Sequence, residues 1–417
     1  MIEKNTIRIM VLAGGNDQAA LIKELRHQIP GVFIILIDML KEVVAAPYAD
    51  KQYVISTMDL PAVEKCAREE NVDYIMTACG DQPLLTMAVV SEKLGLPCYL
   101  SKTQVLNLTN KMYMKRLMVE NGIPTSRFRT FSDLREVSDT GLEYPLIVKP
   151  VDSNGSKGVR KVMNLAELKE YSEAAFKFSL SHTIIVEEFV EGVEVSLDYY
   201  ISGGRVVRMM SSKLNKYKVD DATQVIYQSV IPSGISAEAQ NKLDQIAGLI
   251  GKGYGVTNSP LLIQAMVNGD DVKVIEFSAR LGGGAKYQTI QNVTGFNVLA
   301  ANVKSMLGEI PEIDLKETEA CYSRTHLYTT GGIFMGIEGT DALLQKGDIT
   351  EVIVTKAKMG GVNSPRSSSD RVASFFSIAP THVELDEKIR HAISAIRIID
   401  DHGRDILKRD IYAPLRL

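Results

Sequence analysis

Lysines in apolar strands and glycines beside cations are the residues with chemical potential in this chain. Lys149 lies in Tyr144-Pro-Leu-Ile-Val-Lys-Pro150 and leads at once into Asp152-Ser-Asn-Gly-Ser-Lys-Gly158. Farther on come Glu187-Glu-Phe-Val-Glu-Gly-Val-Glu194 and Val274-Ile-Glu-Phe-Ser-Ala-Arg280. A nucleoside triphosphate presents a flat base, a ribose diol and several negative charges. Holding one requires cations at the phosphates, an acceptor at the ribose and a divalent metal near the transferred group. Lys149, flanked by apolar residues in a strand, suits the phosphates better than a solvated strand edge does. In the loop after it, Ser153, Gly155, Ser156 and Gly158 offer backbone amides that can close over phosphate, and the glycines allow close approach. Arg280 precedes Leu281-Gly-Gly-Gly284 and a helix. A guanidinium beside glycine amides at a helix start suits a carboxylate, an acyl phosphate or an oxyanion.

Positioning these groups demands several elements. Residues 6–100 alternate apolar runs with helical patterns, including strands at Ile7–Leu12, Val32–Ile37, Gln52–Ile55, Asp73–Thr77 and Cys98–Leu100. That alternation predicts a doubly wound parallel sheet. Gly14-Gly15 after the first strand lacks the spacing of a dinucleotide fingerprint. Asp81 falls at the carboxyl end of a strand, where such sheets present ligand groups. A helix capped by Thr109 or Asn110 follows and stops at Asn121-Gly-Ile-Pro124.

The order of these motifs resembles the ATP-grasp superfamily, of the carboxylate–amine ligase type, similar to carbamoyl-phosphate synthase large-subunit-like and bacterial L-amino-acid ligase proteins. The resemblance extends over most of the chain. It implies an α/β fold in which a doubly wound amino-terminal sheet (1–108) precedes a two-lobed α+β module (109–190 and 191–323) and a small carboxy-terminal lid region (324–417). It implies that Lys111 joins Lys149 at the phosphates. It implies that Glu187 and Val190 form the hinge against adenine, and that Glu194 accepts the ribose hydroxyls. Two metal positions in the family belong to a carboxylate and a Glu-x-Asn pair. Here Gln264, Glu276 and Ser278 stand in those places, so Glu276 is the principal ligand expected, with neutral oxygens beside it.

The resemblance implies ATP and Mg2+ (with Mn2+ as a substitute), small carboxylate and amine substrates, and an acyl phosphate intermediate. Arg280 and Lys149 are the catalytic residues it implies. Competing readings are a bicarbonate-activating enzyme of the carbamoyl-phosphate or biotin-carboxylase kind, and an ATP-binding protein without turnover. A homodimer is expected by analogy of fold. Arg324 and His326 share one face of a strand and are equally consistent with a structural role. Lys213, Lys216 and Lys218 are equally consistent with the phosphates or a solvated loop.

Composition sets the bounds. The chain has 417 residues, net charge −4, 45% hydrophobic and 24% charged residues. That length predicts more than one core. The slight acidity argues against nucleic acid as a partner. No apolar run approaches membrane-spanning length and the amino terminus shows no signal-peptide pattern, so no membrane association and a cytoplasmic setting are expected. The four cysteines lack metal-site or disulfide spacing.

Overall fold

The computed structural model describes residues 6–138, 140–152, 158–219 and 224–415. Ser153, Gly155 and Ser156 of the expected phosphate loop lie outside the described residues.

The amino-terminal sheet is parallel, in the order Lys51–Val54, Phe33–Asp38, Arg8–Leu12, Tyr74–Met76. Its inner strands are apolar runs buried along nearly their whole length, as covered parallel strands must be. Cys98–Leu100, expected as a fifth strand, makes no ladder; a capping box at Ser101 turns the chain into the helix Lys102–Thr109 instead. Strand order reverses at Arg8–Leu12: the chain adds Phe33–Asp38 and Lys51–Val54 on one side, then returns to add Tyr74–Met76 on the other, all parallel. The crevice beyond their carboxyl ends is therefore a switch point, and Gly14-Gly15-Asn16-Asp17 and Thr77–Asp81 lie there.

Asn110 caps the helix Lys111–Glu120 by accepting from the amides of Met112 (3.0 Å) and Tyr113 (3.4 Å). The first lobe is an antiparallel sheet ordered Phe128–Phe131, Ile184–Glu188, Leu146–Pro150, Arg160–Val162, backed by the helix Leu165–Phe178. Gly158 has φ +74°, and a Cβ there would lie 3.0 Å from Pro150 Cγ, so glycine is required where the chain leaves the loop.

The second lobe is the first part of an eight-stranded sheet, in the order Asp271–Ser278, Ser259–Asn268, Val193–Ser202, Arg205–Lys218, Gln224–Ile231, Cys321–Leu327, Ala373–Ala379, Glu351–Val354. This corrects the expected boundary at 323/324, which falls inside the strand Cys321–Leu327. The carboxy-terminal segment completes the same sheet rather than forming a separate lid, and adds a three-stranded sheet of Gly360–Asn363, Gly331–Glu338 and Arg397–Asp400. The physical reason is edge pairing: Gln224–Ile231 would otherwise expose a long unpaired edge, and Cys321–Leu327 covers it.

Candidate active site

The strand Ser259–Asn268 alternates from Leu261 onward. Leu261, Ile263, Ala265 and Val267 are buried, while Leu262, Gln264, Met266 and Asn268 face the cleft. Across the ladder, Gln264 opposes Glu276 and Leu262 opposes Ser278, so all four share a face. A bulge follows Gln264, where the next pair is Ala265 with Val274. The extra residue aims Glu276 at the cleft.

Two hollows lie along this ribbon. One, of about 20 Å3, is lined by Asp81, Lys111, Gln264, Glu276, Ser278 and Arg280 among others. That is room for roughly one or two water-sized groups. The second, of about 320 Å3, is lined by Ser126, Arg127, Glu188, Val190, Met266 and Lys273 among others. Met266 is two residues from Gln264 on the same face, about 7 Å along the strand. One groove thus carries a larger cleft at one end, where Phe189, Val190 and Met266 lie among charged residues, and a small charged hollow at the other.

Between them sits a buried charge cluster. Glu187 ion-pairs with Lys149 and, at 2.8 Å, with Lys115. Ser126 Oγ donates to Glu187 Oε2 at 2.9 Å and accepts from Lys115 Nζ at 3.0 Å. Burial alone would raise the Glu187 carboxyl; Lys115 and Lys149 outweigh it and hold the group well below the usual range. Burial lowers Lys115, against the attraction of Glu187. The expected hinge glutamate therefore turns its carboxylate inward to the lysines, while Val190 lines the larger cleft. Lys115 escaped the sequence reading. Its signal was available, since it lies four residues from Lys111 on the same helix face.

Lys111 is buried at the first position of its helix, and its amide donates to Val151 O at 2.9 Å. Burial lowers its ammonium, with Glu276 the main opposing charge and Lys149 adding to the fall. Glu194 ion-pairs with Lys216 at 2.5 Å. This gives Lys216 a partner within the second lobe.

Arg280 is gripped by Asp81 of the amino-terminal sheet: Nε to Oδ1 at 2.6 Å and Nη2 to Oδ2 at 2.7 Å, with Nη1 donating to Leu281 O at 2.8 Å. Ser278 Oγ also donates to Asp81 Oδ1, at 2.8 Å. Burial would raise Asp81; Arg280 more than offsets it. The glycine amides expected to await an anion are also engaged. Gly284 N and Ala285 N donate to Asp17 at 3.1 and 2.9 Å. Two carboxylates from the amino-terminal sheet thus hold the features that sequence reasoning offered to substrate.

The donor set for a divalent ion is Glu276 with the Gln264 amide opposite it. No group of three or more His, Cys, Asp or Glu suited to a metal occurs among the described residues. One carboxylate and one amide oxygen fit a single hard cation that takes its other ligands from phosphate and water. Ser278 is committed to Asp81.

A parallel amino-terminal sheet followed by two antiparallel sheets defines a mixed α/β architecture. Residues 142–288 match the model of the ATP-grasp domain family, so this stretch of the chain is an ATP-grasp domain. It is 32% identical over 177 residues to D-alanine–D-alanine ligase of Cupriavidus pinatubonensis, covering 39% of this chain and 51% of the relative. Its fold is similar to that of the L-amino acid ligase from Bacillus licheniformis (TM-score 0.76, 19% identity, 95% of this chain and 100% of the other). It is also similar to the biotin carboxylase domain of Hydrogenobacter thermophilus 2-oxoglutarate carboxylase, solved with MgADP and bicarbonate (TM-score 0.76, 14% identity, 96% and 91%). The chain spans 64% of an uncharacterized Sinorhizobium fredii relative and 16% of a multifunctional protein of Neurospora crassa. No helix among the described residues is long and apolar enough to cross a membrane.

Proposed function

We propose that this chain is an ATP-dependent ligase that activates a small carboxylate, an amino acid or related metabolite, as an acyl phosphate and joins it to an amine. The observation that carries this reading is the single groove. Along one ribbon, the larger cleft offers Phe189, Val190 and Met266 to a flat base, and Glu276, Lys111 and Arg280 around the small hollow mark the end suited to phosphate and metal. Lys149 and Lys115, held by Glu187, supply positive charge between them.

In this reaction a carboxylate oxygen of the substrate attacks the γ-phosphorus. The new O–P bond forms as the bond to the β-phosphate bridging oxygen breaks, and ADP leaves. The amine nitrogen then attacks the acyl carbon, the C–O bond to phosphate breaks, and the amine loses a proton to give the amide. Lys149 and Lys111 orient the phosphates. Arg280, oriented by Asp81, retains one N–H on each of Nη1 and Nη2 for the oxyanion. Glu276 and Gln264 would hold Mg2+, which when bound neutralises charge on the phosphates.

A second reading, nucleotide binding without turnover, is favoured by two observations: Asp81 already occupies one edge of Arg280, and Glu276 alone among residues 264, 276 and 278 is a carboxylate. ADP release measured across pooled amino acids, with and without bicarbonate, separates the readings. Amine-dependent release supports the ligase. Dependence on bicarbonate alone, or tight ATP binding with no release, overturns it.

A further inference from the structure

The cations around Gly284 have no part in the proposed chemistry. Gly284 is their meeting point. Its carbonyl accepts from Arg324 Nη1 at 2.6 Å. Its φ is +76°, and a Cβ there would lie 1.9 Å from Arg371 Nη1, so the second guanidinium rests against its bare Cα. Lys286 starts the helix two residues on, ion-paired with Asp198 at 2.9 Å and donating to Ser196 Oγ at 3.2 Å.

Carboxylates here are too few. Asp198 is 2% exposed and committed to Lys286. Asp17 is committed to the amides of Gly284 and Ala285 and accepts from Cys79 Sγ at 3.4 Å. Arg324 is 5% exposed, and its buried Nε has no partner among the described residues. Arg371, half-buried, spends Nε on Ser368 O at 2.5 Å and forms no ion pair among the described residues. Burial first, then Arg371, pulls the Arg324 guanidinium down to about 10. Burial and the same cations hold His326 well below its ordinary value, so it adds no charge. Two guanidiniums are therefore packed about one glycine, neither ion-paired with a carboxylate among the described residues, and a buried N–H goes unsatisfied. Both features carry a free-energy cost that an oxyanion would relieve.

The surroundings suit such a group. Asp17 ties the site to the first turn of the helix Asn16–Gln28, which begins at Gly15 without a side-chain cap. This is the switch-point crevice of the amino-terminal sheet, and an uncapped helix start adds partial positive charge there. Planar guanidiniums match phosphate oxygens in bidentate geometry.

We propose that Arg324 and Arg371, over Gly284 and beside the start of the helix Asn16–Gln28, form a seat for a dianionic phosphate-type group, carried by the substrate in addition to its reacting atoms. The assignment of that group to a substrate rests on the ligase reading; the seat itself does not.

The test titrates the full chain with inorganic phosphate by calorimetry, beside acetate as a singly charged carboxylate and ATP as a separate probe. Phosphate should bind the wild type and Lys149→Ala alike, and bind Arg371→Ala at least about tenfold more weakly. Acetate should bind much more weakly than phosphate. Arg371 is half-buried, so its variant should melt like the wild type. Arg371→Gln gives a second reading of the same contact, and Arg324→Lys should weaken phosphate while keeping the charge. Phosphate affinity unchanged in Arg371→Ala and Arg371→Gln overturns the seat. So does loss of phosphate binding in Lys149→Ala, which would place it in the nucleotide groove, or acetate binding as tightly as phosphate. Loss of ATP binding with phosphate retained would instead count against the ligase reading alone.

Discussion

Two basic clusters in this molecule solve opposite problems, one in the first lobe around Glu187 and one around Gly284. Around Glu187, two lysines and a serine hydroxyl converge on one carboxylate whose oxygens are all used. Around Gly284, two arginines and a lysine gather, the one buried aspartate is paired with the lysine, and a guanidinium N–H is left over. The first arrangement fixes lysines in place by internal pairing. The second leaves charge unspent. Buried cations are costly either way, so the difference lies in where the compensating anion comes from: the chain itself in one case, a ligand in the other.

The sharpest way to break this contrast is Glu187→Ala. It strands Lys115 and Lys149 without their carboxylate, and should cost about 3–5 kcal/mol of stability in urea unfolding. A loss below about 1 kcal/mol would mean the lysines reach other partners, and the cluster would not be a closed one. Next comes Glu276→Gln. If Glu276 serves the metal rather than merely balancing Lys111, magnesium-dependent ADP release should fall by more than about a hundredfold. Metal-free ADP affinity, read by calorimetry, should stay within about twofold. Wild-type turnover in this variant would put the cation elsewhere.

A smaller effect is expected from Lys149→Ala, which should weaken ATP binding by roughly tenfold to a hundredfold, since one charge-assisted contact is lost while Lys111 and Lys115 remain. Unchanged affinity would remove Lys149 from the nucleotide site and make the Glu187 cluster purely structural.

The smallest is a pH effect at Asp81. Its carboxyl lies below the ordinary value in the folded chain. The stability this contributes is complete above the ordinary aspartate value of about 3.9 and is lost as pH falls through the folded value. Asp81→Asn should therefore lose less stability than the wild type on acidification below about pH 4. Parallel acid limbs would show that Arg280 gains little from Asp81.

Much of the frame was legible. Alternation of apolar runs and helical periods predicted the parallel sheet, because buried parallel strands must be apolar along their length. Asn110 announced its helix through local capping, which needs only neighbouring amides. The strand Cys98–Leu100 was misread because a capping box three residues on recruits that stretch as a helix approach. The boundary near 323 was misplaced because sequence gives no sign of which edge a strand will cover.

The chain's order of residues by itself determined the faces: Lys111 with Lys115 on one side of a helix, and Leu262, Gln264 and Met266 on one side of a strand. Local periodicity is enough for that. Only the tertiary structure decided which charges meet. Asp81 reaches Arg280 across 199 positions, and Asp17 reaches the amide of Ala285 across 268. Such pairings depend on sheet order and register between distant segments, which no local pattern encodes.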